Sequence, residues 1–138
     1  MKHVKEFKIV ERHEDGSPAI MYSRSKMPMM TDRENLIRCD RKELDDGRTL
    51  TILRSIDRPE FPRTKNAVRI DFFKASAFIE KGEDLEITEY SNMDLGGYFP
   101  TSLLNMLMSQ MMSKGMTMLY EKAKKLQDEI QSTEGSSN

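Results

Sequence analysis

The chain has 138 residues, of which 37% are hydrophobic and 33% charged, and a formal net charge of −1. That length suits one domain, and the balance is polar but able to fold rather than disordered. Near-neutrality removes the electrostatic basis for binding nucleic acid. A lone cysteine, Cys39, excludes an intrachain disulfide and fits a reducing compartment. No apolar leader follows Met1, and Leu103 to Tyr120 is too interrupted by polar residues to span a membrane. The expectation is a soluble, intracellular, cytoplasmic protein.

In chain order the first two thirds read as strands. Val4 to Arg12 and Pro18 to Lys26 flank Glu14-Asp15-Gly16-Ser17, a hairpin signal. Leu36 to Leu44 turns through Asp45-Asp46-Gly47 into Arg48 to Ser55. A loop over Ile56 to Asn66 carries Pro59 and Pro62, which exclude a central strand. Ala67 to Glu80 alternates, then changes phase, so a bend is expected near Phe73-Lys74. Lys81-Gly82-Glu83-Asp84 forms a third turn, and Leu85 to Asn92 the last strand.

Pro100 then opens a helix running to about Ile130, with Thr101 or Ser102 as its cap. Leu104, Leu107, Met108, Met111, Met112, Met118, Leu119, Ala123, Leu126 and Ile130 fall on one wide stripe. Gly115 interrupts that stripe and marks a close approach or a kink. Half of the 12 methionines lie on this segment, giving it an adaptable apolar surface. The fold expected is α+β, a curved antiparallel meander of about six strands closed by one long C-terminal helix. It occupies residues 1–130, and 131–138 form a polar, disordered tail.

Four segments in order carry a resemblance. They are Met27-Pro28-Met29-Met30-Thr31-Asp32-Arg33-Glu34; Arg38-Cys39-Asp40-Arg41 with Asp45-Asp46-Gly47-Arg48; Ala67 to Ile70 with Ala75 to Glu80; and Asp94-Leu95-Gly96-Gly97-Tyr98-Phe99-Pro100-Thr101-Ser102-Leu103-Leu104-Asn105. Together they resemble the C-terminal part of the START family, the steroidogenic-acute-regulatory-related lipid-transfer domains, and most the phosphatidylcholine-transfer branch. The resemblance covers residues 3 to 127. Glu34 stands where the family has Asp, and the family's N-terminal helix, three further strands and two short helices have no match here.

The resemblance implies a helix-grip fold with a tunnel between sheet and last helix, holding one lipid and no other cofactor. Lining residues on the helix would be Leu104, Met108, Met111, Met112 and Leu119. Each also has a plainer role, packing on the sheet. Polar residues at apolar strand positions are Arg38, Arg54, Arg69, Asp71 and Glu89. A buried arginine must be paired or hold an anion, and arginine suits phosphate. Arg69 and Asp71, two apart, would form a pair or both face solvent. Arg38 matches a family strand whose arginine points into the cavity. In the 57–65 loop, Phe61 with Arg58, Arg63 and Lys65 would touch an anionic membrane, or simply form a stiff surface loop.

Catalysis has no support in the sequence. His3 and His13 pair with no nucleophile motif, zinc-ligand spacing is missing, and Gly96-Gly97 is a turn rather than a phosphate cradle. The reading is a lipid-binding and lipid-transfer protein for a phospholipid or sterol-like ligand, meeting a membrane transiently. The alternative is a shortened structural module whose open sheet edge is completed by a partner chain or a second copy.

Overall fold

The computed structural model describes residues 4–27 and 29–135; the side chains of Met111 and of residues 133–135 lie outside that description. Two units follow one another, Met1–Gly97 and Tyr98–Asn138.

The first unit is a single sheet. Its strands are β1 (Val4–Arg12), β2 (Pro18–Ser25), β3 (Asp32–Glu43), β4 (Thr49–Ser55), β5 (Ala67–Arg69), β6 (Asp71–Lys81) and β7 (Asp84–Asp94). Hydrogen bonding runs β1-β2-β3-β4-β6-β7, each pair antiparallel. Short β5 lies parallel to the start of β3, with Asp32 opposite Ala67 and Glu34 opposite Arg69.

The turn chemistry explains the meander. Gly16 and Gly47 take φ of 81° and 83°, and each follows a tight backbone bond (Gly16 N–H to His13 O, Gly47 N–H to Leu44 O). This is the three-residue loop with a glycine bulge, which needs a left-handed residue. Between Lys81 and Asp84 the two-residue loop puts Gly82 first, with φ 66°. A type II′ turn demands glycine there.

The long strand expected over Ala67 to Glu80 is broken, but not where its alternation suggested. Register against β4 and β7 is regular through Phe73-Lys74. The break is at Ile70, whose N–H leaves the ladder to bond Glu34 O at 2.9 Å. The Ser55 hydroxyl fills the gap, donating to Ile70 O at 3.1 Å and accepting from Phe72 N–H at 2.8 Å. A side chain at the end of β4 thus replaces one backbone rung, a substitution that alternation cannot reveal.

The core of this unit is small. Ile20, Tyr22 and Leu36 are buried together, with Val10, Ile56 and Phe61 packed on them. Period two puts Tyr22, Leu36 and Ile20 on one face. The 56–66 loop covers that face by laying the Phe61 ring on Tyr22, centroids 5.4 Å apart.

The second unit is one helix, α1, Thr101–Gly135. Its first bond, Leu104 N–H to Pro100 O at 3.0 Å, makes Pro100 the cap residue and places the expected caps Thr101 and Ser102 inside the first turn. The helix continues through Gly115 and past Ile130 to Gly135.

Candidate functional site

The sheet register assembles the polar candidates. Directly opposed positions form a row across five strands, Ile20, Arg38, Arg54, Phe73 and Asn92. A neighbouring row holds Asp40, Ile52, Ala75 and Tyr90. Both rows lie on the face that carries Tyr22 and Leu36, because successive side chains alternate. Two aromatic rings lie on these rows, Phe73 and Tyr90, tilted against each other with centroids 6.1 Å apart.

Arg38 and Arg54 are thus cross-strand neighbours of like charge, an arrangement that costs stability. One carboxylate serves both. Asp40 accepts from Arg38 Nε at 2.9 Å, while Arg54 Nη2 stands 4.0 Å from it. Both guanidiniums remain about half exposed. Asp71 and Asp94 stand on the same face, two positions along their strands from Phe73 and Asn92. Beside them lies a recess of about 330 Å³, lined by Arg54, Ser55, Asp71, Phe72, Phe73, Asn92 and Asp94.

Arg69 is on the same face but has another role. Its side chain is 2% exposed and that of Glu34 1%. Arg69 Nε donates to Glu34 Oε1 at 3.0 Å and Nη2 to Phe61 O at 2.9 Å; Asp57 approaches Nη1 to 3.8 Å. Glu34 also accepts from the Tyr22 hydroxyl at 3.1 Å. Burial, and then this carboxylate, raise the Tyr22 phenol above its ordinary value. The partner of Arg69 is therefore Glu34 on β3, not Asp71. The interruption at Ile70 separates Asp71 onto β6, where it faces Asp94. This cluster ties the 56–66 loop to the sheet and shapes a second recess of about 170 Å³ with Glu6, Lys8, Glu60 and Pro62.

Glu89 does not join the others. It sits opposite Ser76, on the reverse face, and binds Lys74 Nζ at 2.6 Å. That face has its own recess, about 710 Å³, between Arg41, Thr49, Thr51, Phe78, Glu80 and Leu85. Phe61 is also not placed as a membrane contact: its ring is spent on Tyr22. Arg63 and Lys65 are exposed, and Arg63 pairs with Asp57 at 3.3 Å. On the helix, taken by itself, Leu104 is half-buried and Met108, Met112 and Leu119 are exposed. The Met111 side chain lies outside the described residues.

Sequence reasoning missed Asp40, Tyr90 and Arg33. Arg33 is buried and grips the glycine turn, Nε to Leu95 O at 2.8 Å and Nη2 to Gly96 O at 3.1 Å. Gly96 has φ 62°, and a Cβ there would stand 2.8 Å from Val68 Cγ1. Asp40 could have been found by spacing, since it lies two residues from Arg38 and so shares its face.

Among the described residues no group of three or more His, Cys, Asp or Glu could hold a metal, and no helix is long and apolar enough to cross a membrane.

The START domain model matches residues 1–129. The chain belongs to the START domain family. No curated protein sequence matches this START chain. Among solved structures it is similar to human STARD10, with a TM-score of 0.72 and 17% identity over 94% of this chain and 53% of that one. It is also similar to the human StAR-related lipid transfer protein 5, with a TM-score of 0.68 and 17% identity over 91% of this chain and 62% of that one. At such identity the likeness is one of fold, the α+β arrangement of sheet and long C-terminal helix that START lipid-binding domains share. The START chain spans less than two thirds of the length of either structure. Neither likeness supports placing it in the phosphatidylcholine-transfer branch.

Proposed function

We propose that this START chain binds a phospholipid and carries it between membranes without catalysis. The headgroup phosphate sits between Arg38 and Arg54, and the apolar part of the molecule lies along Ile52, Phe73, Ala75 and Tyr90. The observation that carries this reading is the opposed arginine pair sharing one carboxylate on an aromatic sheet face. Two guanidiniums held side by side at a cost have an obvious use, bidentate binding of a phosphate. A sterol offers one hydroxyl and no planar anion for the two guanidiniums, so the phospholipid is preferred over the sterol-like ligand.

The test is native mass spectrometry of gently purified protein, followed by lipid extraction. A stoichiometric phosphate-bearing lipid is expected. Replacing both arginines (Arg38→Gln with Arg54→Gln) should empty the protein of that lipid and abolish its transfer between liposomes while the fold stays intact, because a like-charge opposition is removed. A protein that comes off lipid-free and moves nothing between liposomes would overturn the proposal.

A further inference from the structure

The helix α1 carries more apolar surface than one contact can use. At about 3.6 residues per turn its wide stripe resolves into two lines. The first holds Leu104, Leu107, Met108 and Met118, and beyond Met118 the same line turns to Lys122, Lys125 and Glu129. The second lies about a quarter-turn round the helix and holds Met112, Met116, Leu119, Ala123, Leu126 and Ile130. Before Met112 that line is polar, with Asn105 and Ser109. Exposure is greater on the second line. Leu104 and Leu107 are half-buried and Met108 and Met118 are 43% and 47% exposed, whereas Met112, Met116, Leu119, Leu126 and Ile130 are between 51% and 70% exposed.

The spacing of the second line points to its partner. Its members are separated alternately by four and three residues, a period of about 3.5 that holds a seam against another helix. Two copies laid antiparallel match at every position. Met112 faces Ile130 of the second copy, Met116 faces Leu126, and Leu119 faces Ala123. Large then meets small at the centre. A parallel pair would set Ala123 against Ala123 and leave a void. The six side chains of each copy together bury about 1,000 Å² in such a pair, near the lower bound for a specific interface. The dimer is therefore expected at micromolar rather than nanomolar concentrations.

We infer that α1 pairs with α1 of a second copy along this line, as a short antiparallel coiled coil. Met112 and Leu119, which the family resemblance places in a lipid tunnel, belong to that seam. A bilayer would also accept an apolar line, but it gives no reason for a register that closes on itself. Lys122 flanks the centre of the seam and meets its own copy there, a like-charge contact that salt screens. The inference is separate from the phosphate site, since none of these residues lies in the Arg38 and Arg54 rows.

The full chain is followed by sedimentation velocity from about 1 μM to about 1 mM. A reversible dimer is expected, and it should persist or tighten as salt is raised, whereas binding to an anionic bilayer would weaken. Leu119→Lys with Leu126→Lys should weaken the dimer by about a hundredfold or more, through loss of the central apolar contacts. Both positions are exposed, so the dilute variant should melt with the parent. Met118→Lys, on the first line, should leave the dimer unchanged. A parent that is monomeric throughout, a dimer that the double variant leaves intact, or one lost equally in Met118→Lys would overturn the inference. So would a monomer that sediments with phosphatidylserine vesicles and loses that binding in the double variant.

Discussion

Removing the guanidinium of Arg69 gives the sharpest test of the sheet's architecture. Its side chain and that of Glu34 are 2% and 1% exposed, so neither charge has water as a fallback. In Arg69→Met the Glu34 carboxylate keeps only the Tyr22 hydroxyl among its side-chain partners shown here. Leaving a buried charge without its counter-ion costs about 3–5 kcal/mol. The same change frees Phe61 O, which adds about 1 kcal/mol for a lost hydrogen bond. A destabilisation near 4 kcal/mol should lower the melting temperature by about 10–20 °C for a chain of this size. The double variant Glu34→Leu with Arg69→Met removes both charges and should recover most of that loss, since a well-packed apolar pair replaces a buried ion pair at little or no cost. Urea denaturation of the parent, the single and the double variant measures the cycle. A single variant that loses less than about 1 kcal/mol, or a double variant as unstable as the single, would refute the reasoning.

Two further outcomes follow from other sites. Gly96→Ala should cost about 2–4 kcal/mol, because the left-handed backbone is strained and the new Cβ meets Val68 Cγ1 at 2.8 Å; Gly16→Ala, at φ 81° in open space, should cost clearly less in the same urea titration. Asp32 is held below the usual carboxylate range by its bond to Lys5, which outweighs the opposing effect of burial, with Arg24 adding to the lowering. A depressed acid contributes stability that is present above its unfolded value of 3.8 and lost as pH falls through the lower folded value. Asp32→Asn should therefore remove part of the acid limb of the stability profile, read by thermal melts from neutral to strongly acidic pH, and leave a flatter curve below that value.

How much was legible before the structure depends on the range of the interaction. The hairpins at Gly16, Gly47 and Gly82 could be read because turn chemistry is local: a glycine at positive φ closes each one within a few residues. The Asp94 to Asn105 run and the helix after it were equally clear. That Arg38 and Arg54 stand at otherwise apolar strand positions could be read, but that they share a face and oppose each other could not. That depends on register between strands joined by a turn whose bulge shifts the count. Glu89 shows the other side of the same rule, for one step in register sends a side chain to the reverse face.

The sequence by itself determined the antiparallel meander, the turns, the helix and the family, because these rest on periodicity, on glycine and proline, and on contiguous motifs; the separate β5, parallel to β3, came only with the structure. Only the tertiary structure decided that Arg69 answers to Glu34, that Ser55 replaces a rung at Ile70, and that Phe61 turns inward. Each of these joins residues separated along the chain, and their partners are chosen by burial and sheet register, which no local pattern encodes.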